Sequence, residues 1–168
     1  FNEDRTLALV CNGEIYNYKE LKDNCHLTTK TTSDTEVIIE TFAQHGTRSF
    51  SWLNGMFAFI IYDTLENKIH IARDRFGIKP LFYYYDGEQF ACASELKALK
   101  QISTLKFEIN TAVFPEFLHL GFISQPNTIY KNIYKFPTGS YVEIDLNKKD
   151  LHLQFDKFWQ INDVIKRH

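Results

Sequence analysis

The chain has 168 residues, 44% of them hydrophobic, a length and composition that suit one domain with a core of its own. A net charge of −2 and 24% charged residues exclude a polycationic nucleic-acid binder and a disordered chain, and nucleic acid is not an expected partner. No apolar run approaches the roughly 18 residues of a bilayer span, and Phe1 leads directly into Asn2, Glu3 and Asp4, so no membrane partner and a cytoplasmic location are expected.

In chain order, Leu7 to Cys11 is a short apolar run that predicts a strand buried on both faces and ending at Asn12-Gly13. Ser33, followed by Asp34 and Glu36, predicts a capping box with a helix beginning near Asp34. Val37, Ile38, Thr41 and Phe42 form its inward face, and Gly46 is placed to end it with a left-handed residue. Met56 to Tyr62 and Lys68 to Ala72 predict a buried hairpin, and Phe82 to Tyr85 and Gln89 to Ala93 flank Asp86-Gly87, a strong hairpin signal. Their short connections predict that these four strands are antiparallel neighbours in one sheet.

Beyond them, Glu95 to Lys100 predicts one or two helical turns. Thr111 to Leu120 predicts a helix weakened by Pro115. Tyr141 to Leu146 alternates as a strand, with Lys148 to Phe155 as its returning partner, and Trp159 to His168 reads as a polar helical connector. The sum is an α+β chain in which hairpins dominate.

Candidate chemistry gathers at Asn12-Gly13-Glu14, where a side-chain amide and a backbone N–H can converge on a developing oxyanion, although the same pair serves a plain turn equally well. Glu14 and Asp34 can together bind an ammonium group, while a helix start accounts for Asp34 as well. Cys11, Cys25 and Cys92 lack disulfide or zinc spacing and are expected to be reduced; Cys11, inside an apolar strand, lacks the neighbours that activate a thiol. No histidine spacing indicates a metal site. Arg73 to Leu81 concentrates charge and backbone punctuation without the spacing of a phosphate loop, and reads on its own as a solvated connection.

Five ordered blocks carry a resemblance: Asn12-Gly13-Glu14-Ile15-Tyr16-Asn17, Ser33-Asp34-Thr35-Glu36-Val37, Gly55-Met56-Phe57-Ala58-Phe59, Ala72 through Leu81, and Ser94-Glu95-Leu96-Lys97-Ala98-Leu99. Together they resemble the class II glutamine amidotransferase domain of glutamine-hydrolysing asparagine synthetases, an N-terminal-nucleophile (Ntn) hydrolase. The resemblance implies an αββα four-layer sandwich of two antiparallel sheets, N-terminally incomplete here. Residues 1–158 would be the partial amidotransferase domain and 159–168 the start of a connector to a synthetase domain.

It also implies Asn12 and Gly13 as the oxyanion hole, with Glu14 and Asp34 on the substrate's α-amino group. The nucleophile would be an N-terminal cysteine whose amine, with a pKa of about 8, acts as base. That segment and an Arg for the glutamine carboxylate would precede Phe1, so this chain by itself is expected to be inactive. The implied partners are glutamine and a C-terminal synthetase domain, with a homodimer also allowed. No cofactor or metal is expected in this chain, ATP and Mg belonging to the synthetase domain. The alternatives are an amidotransferase serving another carboxylate acceptor, or a non-catalytic amino-acid-binding remnant.

Overall fold

The computed structural model describes residues 1–165, in two compact units. The first comprises residues 1–79, 138–149 and 153 onward, and the second residues 80–137 and 150–152. Among the described residues no helix is long and apolar enough to cross a membrane.

The first unit is built on a five-stranded antiparallel sheet. Its strands are β1 (Leu7–Ile15), β2 (Gly55–Asp63), β3 (Lys68–Arg73), β7 (Ser140–Asp145) and β8 (Phe155–Lys157), in that spatial order. Residues directly opposite each other share a face, so the register aligns Leu9, Ile61, His70 and Glu143 in one row and Cys11, Phe59, Ala72 and Tyr141 in the next. Helix α2 (Asp34–His45) covers this face with Val37, Ile38 and Phe42, all buried. Phe50, at 0% exposure, stacks on Phe42 at 5.6 Å and meets Phe59 edge-on at 5.2 Å, and this aromatic layer forms the centre of the core. A short helix, α1 (Tyr18–Asn24), follows β1.

Strand β1 departs from the sequence expectation in two ways. It runs through Asn12-Gly13 to Ile15 instead of ending there, and it is buried on one face only, with Val10 71% exposed. It lies at the sheet edge, and α2 packs against one side of it. The capping box is also replaced. Ser33 Oγ accepts from the Thr35 N–H at 3.3 Å, while the Glu36 carboxylate accepts from the N–H groups of Lys30 and Thr31, both at 2.7 Å, and so orders the loop before the helix. Gly46 does supply a positive φ of 59°, but with ψ −150°, which leads straight into a 3-10 segment at Gly46–Trp52.

The second unit holds a three-stranded antiparallel sheet. Its order is β5 (Phe90–Ala93), β4 (Phe82–Tyr85), β6 (Ile133–Lys135), around a small core of Tyr84, Leu99, Leu105 and Ile133. It also carries α3 (Leu96–Leu99) and α4 (Phe114–Leu120), where Pro115 falls in the first turn, a position that needs no N–H donor.

The four central strands therefore do not share one sheet: β2 and β3 belong to the first unit, β4 and β5 to the second. The reason is that both edges of β3 are already occupied, by β2 and β7. Lys148 to Phe155 is not the partner strand of β7 either; pairing begins only at Phe155 and runs to Lys157. Of the helical expectation for Trp159 to His168, α5 (Ile161–Ile165) is helical and Trp159 and Gln160 are not, while residues 166–168 lie outside the described residues.

His70 sits 5% exposed against Phe42, its Nδ1 without a hydrogen-bond partner and 3.7 Å from Glu143. Burial holds its pKa below the ordinary 6.5; Glu143 and Asp63 pull it back up, and Lys68 adds to the depression. As pH falls below about 6.5, the unfolded chain takes up a proton that the folded imidazole resists, so folding stability declines. Urea melts from pH 7 down to pH 5 should show this decline, and His70→Gln should flatten it.

Candidate functional site

Because β1 alternates, Asn12 and Glu14 lie on the same, exposed side of the strand, while Cys11 and Gly13 face α2. Gly13 stands opposite Phe57 of β2. A Cβ at this position would run into the Met56 carbonyl oxygen and lie 2.6 Å from Phe57 Cα, so only glycine permits the two backbones to approach this closely.

The N-terminus of α2 meets the end of β1 through Asp34, whose Oδ2 accepts the Ile15 N–H at 2.7 Å. This bond brings Asp34 and Glu14 into one open cleft of about 350 Å³, lined also by Tyr16, Tyr18 and Ser33. Asn12 and Gly13 are not in the lining of that cleft; they precede it along β1, two residues and one residue before Glu14. Two carboxylates in one cleft favour a cationic group such as an ammonium, and a neutral amide nearby adds a donor for an oxygen. Among the described residues no three His, Cys, Asp or Glu side chains are grouped to hold a metal ion.

Cys11 lines a neighbouring cleft of about 560 Å³ with Leu9, Ser33 and Ile39. Burial and the negative charge of Asp34 push its thiol up to about 11, against an opposing pull from Lys79. Cys92 is raised to about 11 by burial alone. Neither is a thiolate at neutral pH, which fits their reading as small apolar side chains.

Two contributors escaped the sequence reading. Asp74, fully buried, donates its N–H to the Phe57 carbonyl at 2.8 Å and accepts the Phe57 N–H at 3.3 Å, so it clamps the residue opposite Gly13. Asn17 accepts the Asn54 N–H at 2.9 Å and donates to the Trp52 carbonyl at 3.0 Å, which fixes the turn facing the end of β1. The signal for Asp74 was an acidic residue ahead of several free amides and Gly77, a pattern in which a carboxylate caps its own loop.

A family model described as "Glutamine amidotransferase domain" matches residues 1–159. A Methanocaldococcus jannaschii protein named "Putative asparagine synthetase [glutamine-hydrolyzing] 2" is 40% identical over 160 residues, which are 94% of this chain and 30% of that protein. Asparagine synthetase (glutamine-hydrolyzing) 2 of Bacillus subtilis is 35% identical over 172 residues, 99% of this chain and 23% of that protein. The chain thus spans less than a third of the length of either curated relative. Among solved structures, the glutamine phosphoribosylpyrophosphate amidotransferase of B. subtilis, complexed with ADP and GMP, shares the fold at a TM-score of 0.61. It is 22% identical, with 95% of this chain and 31% of that one covered.

Asp34→Ala should lose the bond to Ile15 and destabilise the first unit by about 1–3 kcal/mol, the cost of a stranded donor. Asp34→Asn keeps a side-chain oxygen for that N–H and should stay within about 1 kcal/mol of the parent in a urea melt.

Proposed function

Since this chain belongs to the glutamine amidotransferase domain family, we propose that it is the glutaminase part of an asparagine synthetase, hydrolysing glutamine to glutamate and supplying ammonia for ATP-dependent amidation of aspartate. The observation that carries the reading is the placement of Glu14 and Asp34 in one cleft, directly after Asn12-Gly13 on the same strand.

In this reading the substrate's α-ammonium lies between the Glu14 and Asp34 carboxylates, an arrangement that fixes which end of an amino acid enters first. The side-chain amide points back along β1 toward Asn12 and Gly13. A cysteine thiol carried ahead of Phe1 gives its proton to its own α-amine and attacks the amide carbon as the thiolate, and the protonated amine then passes that proton to the departing nitrogen. Negative charge develops on the carbonyl oxygen, and the Asn12 amide and the Gly13 N–H hold it. Ammonia leaves, and water cleaves the thioester to release glutamate and restore the thiol. Cys11 takes no part, its thiol being held in the neutral form.

Residues 1–158 form the glutaminase portion, and 159–168 begin the connector to a synthetase domain that binds ATP and Mg. A cytoplasmic location fits this chemistry.

In the longer parent protein, Asn12→Ala should lower kcat for glutamate release by about 10²–10³-fold, with a small change in KM, because an oxyanion donor acts on the transition state. Asp34→Asn should instead raise the glutamine KM. Steady-state kinetics of both variants test the assignment, and unchanged turnover in Asn12→Ala removes that residue from the mechanism.

A further inference from the structure

Two neighbouring rows of the five-stranded sheet carry charge on the face that α2 packs against. One row aligns Leu9, Ile61, His70 and Glu143, and the next aligns Leu7, Asp63, Lys68 and Asp145. Where α2 stops at Gly46, a cleft of about 500 Å³ opens over these rows, all of it within the first unit. Leu7 and Phe42 give it an apolar floor, and the carboxylates of Asp4, Asp63, Glu66 and Glu143 outnumber Lys68 around it. Lys68 Nζ lies 3.1 Å from Glu143 and 3.9 Å from Glu66, so an ammonium of the chain itself already shows which charge the rim favours. The carbonyl end of α2 adds partial negative charge to the same wall.

His70 supplies an independent sign of a ligand. It lines the cleft at 5% exposure, and its Nδ1 has no hydrogen-bond partner and lies 3.7 Å from Glu143 Oε2. Burial keeps the ring neutral at pH 7, and with its proton on Nε2 the Nδ1 atom is an acceptor. A position beneath Phe42 that needed only packing would be better filled by an aliphatic side chain, because a buried acceptor without a donor costs stability. An N–H donor lodged at Glu143 Oε2 reaches Nδ1 as well. Among the described residues no three His, Cys, Asp or Glu side chains are grouped to hold a metal ion, so the donor set suits an organic cation that brings its own N–H bonds. Asp63 on β2 and Glu143 on β7 stand on either side of β3, two strand spacings or roughly 10 Å apart. One ammonium does not bridge that gap, whereas a short chain with an ammonium at each end does.

We propose that this cleft binds a small aliphatic diamine, its ammonium groups on the Asp63 and Glu143 carboxylates and its hydrocarbon chain against Phe42. The site shares no lining residue with the cleft of Glu14 and Asp34, and it does not depend on the glutaminase reading.

The test is isothermal titration calorimetry of the longer parent protein with 1,4-diaminobutane, at about 0.15 M salt so that loose surface attraction is screened. Saturable binding is expected, and Glu143→Gln and Asp63→Asn should each weaken it roughly tenfold or more. Asp63→Asn retains an oxygen for the Leu65 and Glu66 amides that Asp63 Oδ1 accepts, so the turn it holds is kept. The same binding event should persist in Asp34→Asn. Absence of binding, equal binding of the uncharged butane-1,4-diol, or undiminished affinity in both Glu143→Gln and Asp63→Asn overturns the proposal. Loss of the event in Asp34→Asn alone also overturns it, since the amine then sits in the other cleft. Glutamate release should be unchanged in Glu143→Gln; a parent that binds the diamine without hydrolysing glutamine fails only the glutaminase reading.

Discussion

A single buried carboxylate, that of Asp74, organises the candidate site and its surroundings. It is 0% exposed and takes N–H bonds from Phe57, Phe76, Ile78 and Lys79. Removing such a charge from water costs several kcal/mol, and hydrogen bonds to a charged group return about 1.5–3 kcal/mol each, so the arrangement is stable only with most of these bonds in place. The neighbouring Arg73 shows the same tension: burial lowers its pKa and the Asp74 charge raises it. Three stretches far apart in sequence meet at Asp74, Phe57 on its carboxylate and Gly77 and Gly139 on its backbone carbonyl. The amides it consumes are those of the loop that carries the chain from β3 toward Pro80.

The second organising contact is Asp34 on the Ile15 N–H. One carboxylate closes the end of a strand, starts a helix and faces a cleft with Glu14. The bond to the strand leaves this carboxylate with capacity for a further donor: Oδ2 holds the Ile15 N–H, and a carboxylate has lone pairs to spare. The helix dipole adds to this by favouring negative charge at its first residue.

Features set by local chemistry were legible in the sequence. Ser33 marked the start of α2, the apolar spacing of Val37, Ile38 and Phe42 marked its buried face, and Asp86-Gly87 marked the β4–β5 turn. That Glu14 and Asp34 share a cleft was expected from the resemblance the ordered motifs carry, not from the spacing of the two residues. What failed depended on distant partners. The assignment of β2 through β5 to one sheet ignored β7, which arrives about seventy residues later and takes the free edge of β3. Strand β1 looked doubly buried because apolar residues on an edge strand and in a sheet centre read alike along the chain. Glu36 was expected to cap its own helix, but the nearby Lys30 and Thr31 amides compete for the same oxygens, and local pattern does not say which donors win.

Gly13 on β1, opposite Phe57, and Gly55 on β2, opposite Ile15, also act as a key and slot. Gly13 fits under the Met56 carbonyl, and a Cβ on Gly55 would strike the Glu14 carbonyl and lie 3.0 Å from Ile15 Cα. Sliding β1 by two residues would preserve its inside-outside alternation, so hydrophobic burial alone does not forbid it. It would, however, bring a side chain into each slot. The bare backbones therefore index the strand to a single setting, and the position of Asn12 along β2 is fixed by two residues that have no side chains at all.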